Sequence, residues 1–398
     1  MTKKIELVQL TSFAPSRLYW PRLGIHLANH NRYLTPKVSV SFCSPIIYKK
    51  GRSQRVACGG GPKEVIVELR QAHFPTREIY LYIWPGIPKY DEVEKAVIWA
   101  IEAGYRHIDT AATYKIEDQV GRALTKKMAD GVTRDELFIT TKLWNNHHAR
   151  SEVIPALRES LAKLQLEYVD LYLIHWPVGQ FVSTYYLLRA PNNRVNFDRV
   201  LDNMTYDYTD YLETWRGMID AKNLGLTRSI GLSNFNQQMI DRILENGLEK
   251  PVVLQVELNL NLQQPELLSY CRNQNIVVMG YTPFGSLFHF KAKEDAPPPR
   301  VDDPELVAIA KKYGKTVPQI NLRYLVELGI IPIPKSLTKS RIEQNIDVFD
   351  FQLTEEERSL LKSFDKQYRT IPQHNHGVPL YMPRANRLKT ALFTRYLR

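Results

Sequence analysis

From about residue 92 to residue 336, apolar stretches of strand length alternate with stretches whose apolar residues recur at helical spacing. No other feature of the chain restricts its fold as much. "EVEKAVIWAIEAG", "EDQVGRALTKKM", "SEVIPALRESLAKLQ", "YTDYLETWRGMIDAKNLG", "QQMIDRILENG", "PELLSYCRNQN", "PELVAIAKKYG" and "PQINLRYLVELG" predict helices. Between them "YRHIDT", "LFITTKLW", "VDLYLIHW", "RSIGLSN", "VVLQVEL", "IVVMGYTP" and "IIPIPKS" predict seven strands. Strands this apolar, regularly separated by helices, belong to a parallel sheet covered on both faces. Each ends in polar residues. That favours an α/β TIM (β/α)8 barrel, whose chemistry sits at the carboxyl ends of its strands, over a doubly wound sheet. No G-x-G-x-x-G follows a strand, and "CGGGPK" lacks the spacing and final Ser or Thr of a phosphate-binding loop. A longer polar and aromatic insert, about Gly179 to Asp207, interrupts the series.

With 398 residues, 44% of them hydrophobic, the chain can bury a core of barrel size and still carry extensions. Its three cysteines, Cys43, Cys58 and Cys271, are odd in number and widely spaced, so neither a disulfide framework nor a zinc ribbon is indicated. The start, "MTKKIELVQLTSF", lacks an apolar run of signal-peptide length, and no run of about 18 apolar residues occurs. A soluble, cytoplasmic protein is expected. The formal charge of +11 is unevenly placed: +9 in residues 1–78, +7 in residues 366–398 and therefore −5 between them. No compact aromatic and basic recognition motif accompanies either end, which argues against nucleic acid as a partner, and no membrane is implied. Residues 1–78 are expected to be an unrecognised basic extension, solvated or poorly ordered. Residues 79–365 are expected to be the barrel, and 366–398 a basic C-terminal tail.

Four residues at successive strand ends carry chemistry. "HIDTAATY" supplies Asp109 and Tyr114, "TTKLW" Lys142 and "LIHWP" His175. In a strand over "RHIDT", His107 and Asp109 face one way and Ile108 the other. A buried carboxylate must be paired or hydrogen-bonded, so Asp109 is either a structural residue or part of a site. Tyrosine, with a reference pKa of about 10, is a poor acid near neutrality unless a neighbouring cation stabilises its phenolate. Lys142 is placed to supply that charge, and Asp109 to keep the ammonium protonated. Lowering a pKa by two units takes roughly 2.7 kcal/mol, within reach of a partly buried charge. His175 is suited to hydrogen-bond a substrate oxygen. Taken singly, each has a plainer reading: Tyr114 as a loop residue, Lys142 as a solvated strand end, His175 as a hydrogen-bonded core histidine.

The motifs "GYRHIDTAATY", "ELFITTKLWN", "YVDLYLIHWP", "SIGLSNFN", "QVELN", "GYTPFGS" and "IPKSLTKSRIEQNIDVFDFQLTEEE", in this order over residues 92–365, closely resemble the aldo-keto reductase family. The resemblance implies a TIM barrel that reduces aldehydes and ketones with NADPH. Tyr114 then corresponds to the general acid, Lys142 and Asp109 to its tuning pair, and His175 to the residue that orients the carbonyl. Ser233, Asn234 and Gln255 resemble the contacts to the nicotinamide carboxamide, and Tyr281 the ring stacked on the nicotinamide. Thr282 follows it where the family often has serine. Ser286 resembles a pyrophosphate contact. Lys335, Ser336, Thr338 and Arg341 resemble the cluster around the adenosine 2′-phosphate, and Gln344 with Asn345 the adenine contacts. Two cations at one anionic group favour NADPH over NADH. No metal is implied; "NNHH" and "QHNHG" read as loop histidines.

The resemblance stops upstream of Glu92. The family's floor hairpin and its first strand, which reads like G-L-G-T-W, have no match, so the first strand is atypical. "EIYLYIW", ending at Trp84, is the one candidate for it, with Ile83 where the family has a threonine. Trp84, Trp144 and Trp176 are expected to line the substrate pocket, which suits small hydrophobic carbonyl compounds handled by a monomer. The alternative is a non-catalytic NADP-binding barrel that serves as a regulatory or structural subunit.

Overall fold

A computed structural model describes residues 81–82, 91–182, 204–207 and 209–371. The extension 1–78, Ile83, Trp84 and the tail beyond residue 371 lie outside the described residues.

Eight parallel strands form one sheet in the order β1 (Leu81–Tyr82), β2 (His107–Asp109), β3 (Phe138–Leu143), β4 (Val169–Ile174), β7 (Thr227–Ser233), β8 (Val253–Glu257), β9 (Val277–Tyr281) and β10 (Ile331–Ile333). Seven of them build a nearly closed barrel. The short β1 adds to its edge, with Leu81 opposite Ile108 and Tyr82 opposite Asp109. Part of the segment expected to replace the first strand is thus a strand. No pairing of β10 with β1 occurs among the described residues.

Every residue of β3 and β4 is buried, as expected of strands covered on both faces. The covering helices are α1 (Glu92–Glu102), α2 (Glu117–Ala129), α3 (Arg150–Leu164), α4 (Tyr211–Asn223), α5 (Gln237–Glu245), α6 (Pro265–Asn273), α7 (Pro304–Tyr313) and α8 (Val317–Glu327). Helices α9 (Lys339–Ile346) and α10 (Glu355–Ser363) follow β10. Val93, Ala96, Val97 and Ala100 form the buried stripe of α1 at helical spacing. Helix α2 presses so closely on α3 that a Cβ at Gly121 would lie 2.3 Å from the Lys163 carbonyl oxygen, so only glycine fits there. The described ends of the insert form an antiparallel pair, β5 (Gly179–Val182) with β6 (Met204–Asp207).

Parallel pairing and strand parity together explain why the polar strand ends meet. Asp109 lies opposite Thr140, and Lys142 is two residues further along β3, on the same face. Lys142 lies opposite Leu173, with His175 two residues beyond. Leu173 pairs with Gly231, two before Ser233; Ser233 pairs with Gln255, and Gln255 with Met279, two before Tyr281. Tyr281 pairs with Ile333, two before Lys335. Pairing thus steps upward around the barrel and brings seven polar residues to one face at one end.

Candidate active site

Asp109 and Lys142 are fully buried and joined by an ion pair between Asp109 Oδ1 and Lys142 Nζ. Lys142 Nζ also donates to the Thr110 carbonyl at 3.0 Å, and Gln255 Nε2 donates to Asp109 Oδ2 at 2.9 Å. Burial pushes the Asp109 carboxyl up and the Lys142 ammonium down, and their mutual attraction opposes both shifts.

Tyr114 closes a short 3-10 turn, Ala112–Tyr114, immediately beyond β2. Its ring centroid is 5.4 Å from Lys142 Nζ, and it meets the His175 ring edge-on at 5.7 Å. Trp144 meets His175 edge-on from another side at 5.2 Å, and Trp176 stacks parallel to it at 6.5 Å. The imidazole is therefore held between three aromatic rings. All four residues expected from strand ends converge.

In front of them is a cavity of about 380 Å³ lined by Tyr114, His175, Trp176, Ser233, Asn234, Gln255, Tyr281, Thr282, Lys291, Lys335 and their neighbours. Asn234 adopts φ +64°, a left-handed conformation that asparagine tolerates better than most residues. Its Oδ1 accepts from the Tyr281 hydroxyl at 2.8 Å, and its Nδ2 donates to the His175 carbonyl at 2.9 Å. Thr282, a β-branched residue, is held at φ +50°, a strained conformation at the cavity wall. Gly285 also has positive φ, and a Cβ there would run into the Asn259 side chain at 2.6 Å. The loop after β9 therefore lies close against the barrel rim.

The remaining expected residues distribute around the rim. Ser286 is buried beside Gly285. Ser336 is buried, and its hydroxyl accepts from the Thr338 amide at 3.1 Å. Thr338 and Arg341 are exposed at the start of α9 and Gln344 in its last turn, while Asn345 is buried. Among the described residues, no group of three or more His, Cys, Asp or Glu is placed to hold a metal ion, and no helix is long and apolar enough to cross a membrane.

Three wall residues escape a reading from strand ends. Lys291 comes from the loop after β9, and Thr370 and Ile371 from the segment following α10. Their backbone amides bind the two carboxylate oxygens of buried Glu257, at 2.8 and 3.1 Å. Of the tail expected beyond residue 365, residues 366–371 thus fold back on the barrel. Glu257 at the end of β8 is the visible signal for such an anchor, although its partners are backbone groups that any residue provides.

The aldo/keto reductase family profile matches residues 84–366. This chain belongs to the aldo/keto reductase family. It is 52% identical over 282 residues to the silkworm (Bombyx mori) aldo-keto reductase AKR2E4, covering 71% of this chain and 85% of that one. The crystal structure of that protein in complex with NADP superposes with a TM-score of 0.67 at 49% identity, over 76% of this chain and 94% of that one. The human aldo-keto reductase family 1 member A1 is 43% identical over 296 residues, covering 74% of this chain and 87% of that one. Except for Thr370 and Ile371, the residues that line the aldo/keto reductase cavity lie within the matched span.

The donors and acceptors around the cavity fit a nicotinamide cofactor. Gln255 Nε2 is committed to Asp109, leaving its Oε1 as an acceptor, while the Ser233 hydroxyl accepts from Asn234 at 3.2 Å and keeps its proton to donate. A carboxamide needs both kinds of partner. Cations at the rim suit phosphate, and Tyr281 supplies an aromatic wall.

Proposed function

We propose that this NADP-dependent oxidoreductase reduces aldehydes or ketones to alcohols, with Tyr114 as the general acid that protonates the carbonyl oxygen. The observation that carries the reading is Tyr114 on the cavity wall, 5.4 Å from the buried Lys142 ammonium and edge-on to His175. The Lys142 charge favours the phenolate that remains once Tyr114 has given up its proton, and Asp109 holds that charge in place. His175, clamped by Trp144 and Trp176, orients the carbonyl. Ser233, Asn234 and Gln255 hold the carboxamide and Tyr281 the ring face. Ser286 binds the pyrophosphate. Lys335, Ser336, Thr338 and Arg341 hold the 2′-phosphate, with Gln344 and Asn345 at the adenine. When bound, NADPH supplies the hydride. Trp176, Phe284 and Ile371 wall the pocket, whereas Trp144 packs on His175 and is not among the lining residues, and such walls favour small hydrophobic carbonyl compounds. The free buried thiol of Cys271 accords with a reducing compartment.

The test is NADPH oxidation by the purified protein with a panel of aromatic and aliphatic aldehydes and ketones. Cofactor binding without turnover on any of them would leave the non-catalytic barrel as the better reading.

A further inference from the structure

Lys291 ends a 3-10 turn, His289–Lys291, in the loop between β9 and α7, and lines the same cavity as Lys335. The turn is fixed locally: the Lys291 amide donates to the Phe288 carbonyl at 2.9 Å, and Val301 returns to Leu287 at 2.8 Å. Aromatic rings step outward from the cavity wall, with Phe284 edge-on to Phe288 and Phe288 stacked on Phe290, each pair 5.6 Å apart. The Lys291 ammonium lies 5.9 Å from the Phe288 ring and 5.7 Å from the Phe290 ring. Those rings steady the side chain but do not neutralise it.

The charges that act on this lysine are other cations. Partial withdrawal from water and then the Arg341 guanidinium hold Lys291 below the usual lysine range; burial and then Lys291 do the same to Lys335. Lys291 and Lys335 thus line one cavity from two separate elements, and Arg341 at the start of α9 is near enough to Lys291 to repel it. Bringing like charges together is unfavourable, and a multiply charged anion between them reverses the sign of the interaction.

We propose that Lys291 is a third cation for the 2′-phosphate of the nicotinamide cofactor, reaching it from the loop after β9 opposite Lys335 and Arg341. The proposal rests on the reading of Lys335 and Arg341 as 2′-phosphate ligands. Its consequence is that the phosphate ties the β9–α7 loop to the start of α9, so one residue serves both cofactor choice and loop closure. A contact to the pyrophosphate, which NADH also carries, is the competing source of the same chemistry.

Tryptophan-fluorescence titration with NADPH and with NADH separates these possibilities without requiring turnover. Lys291→Met should weaken NADPH about tenfold and NADH less than about twofold, while Lys291→Arg stays within about threefold of the unchanged protein for both. Equal weakening of both cofactors assigns Lys291 to the pyrophosphate and overturns the proposal, as does unaltered NADPH affinity. Lys335→Met is the control: if it erases the NADPH preference while Lys291→Met does not, the underlying reading survives and only the third cation is lost. Unchanged melting of the cofactor-free Lys291→Met protein excludes a folding defect.

Discussion

Replacing Asp109 by asparagine separates the two jobs given to the buried pair. Both carboxylate oxygens are used, Oδ1 by Lys142 and Oδ2 by Gln255, and all three residues are almost wholly removed from water. Asparagine offers one acceptor and must point a donor at either the ammonium or the Gln255 amide. Lys142 is then a buried cation without its counter-charge, a change that costs about 3–5 kcal/mol. For a barrel of this size that corresponds to a loss on the order of 10 °C in melting temperature. Adding Lys142→Met removes the stranded charge, and since well-packed apolar replacements of buried pairs are often neutral, the double variant should recover most of the stability. It should recover no turnover, because the cation beside Tyr114 is gone. The assay pairs thermal melting with NADPH oxidation for the two single variants and the double one. If Asp109→Asn melts within about 2 °C of the unchanged protein, the pair is not the charge compensation argued here. If turnover returns together with stability, it does not tune Tyr114.

Tyr114→Phe should remove nearly all reduction while NADPH binding measured by fluorescence stays almost unchanged; retention of more than about a tenth of the rate would exclude Tyr114 as the acid. NADPH should bind at least tenfold tighter than NADH, about 1.4 kcal/mol, and neutralising Lys335 and Arg341 together should abolish the difference. That preference should also shrink as pH rises toward 10.5. An ammonium whose pKa is depressed, as burial and Lys291 depress that of Lys335, loses its proton earlier than an ordinary lysine, whereas NADH affinity should scarcely change. A chain beginning at His73 keeps β1 and should fold and turn over. One beginning at Asp91 uncovers the edge of β2 at Ile108 and Asp109 and should aggregate or lose activity, as soluble yield and NADPH turnover will reveal.

The barrel was legible because buried parallel strands and their helices leave strong periodic signals, and the site was legible because strand ends carry chemistry. Asp109, Tyr114, Lys142 and His175 could be collected because they stand at or just past strand ends, whereas their separate roles came from the resemblance of the motifs around them. The β5–β6 pair was not legible: "GQFV" and "MTYD" are short, and they stand too far apart in the sequence for a two-residue hairpin signal. Lys291 was missed for another reason. It lies on a loop, where side-chain direction follows the turn and not a period, and its partners Lys335 and Arg341 are more than forty residues further along the chain. Residues 370 and 371 were hidden because Glu257 recognises their backbone amides, across 113 and 114 positions of sequence.

The ionic groups divide by depth, and depth decides what each can do. Asp109 and Lys142 are fully buried, so their interaction, and any effect they have on Tyr114, is little screened by salt. Lys291 and Arg341 are exposed, so if they bind the cofactor as proposed, counterions compete with it for the same charges. Salt therefore acts on capture of the cofactor and not on proton donation: raising ionic strength weakens NADPH binding more than NADH binding, while turnover at saturating cofactor is left nearly constant. A rim cation can be exchanged to alter cofactor choice without disturbing the acid. The buried pair allows no such freedom, because the charge proposed to assist Tyr114 is also one that the fold must compensate.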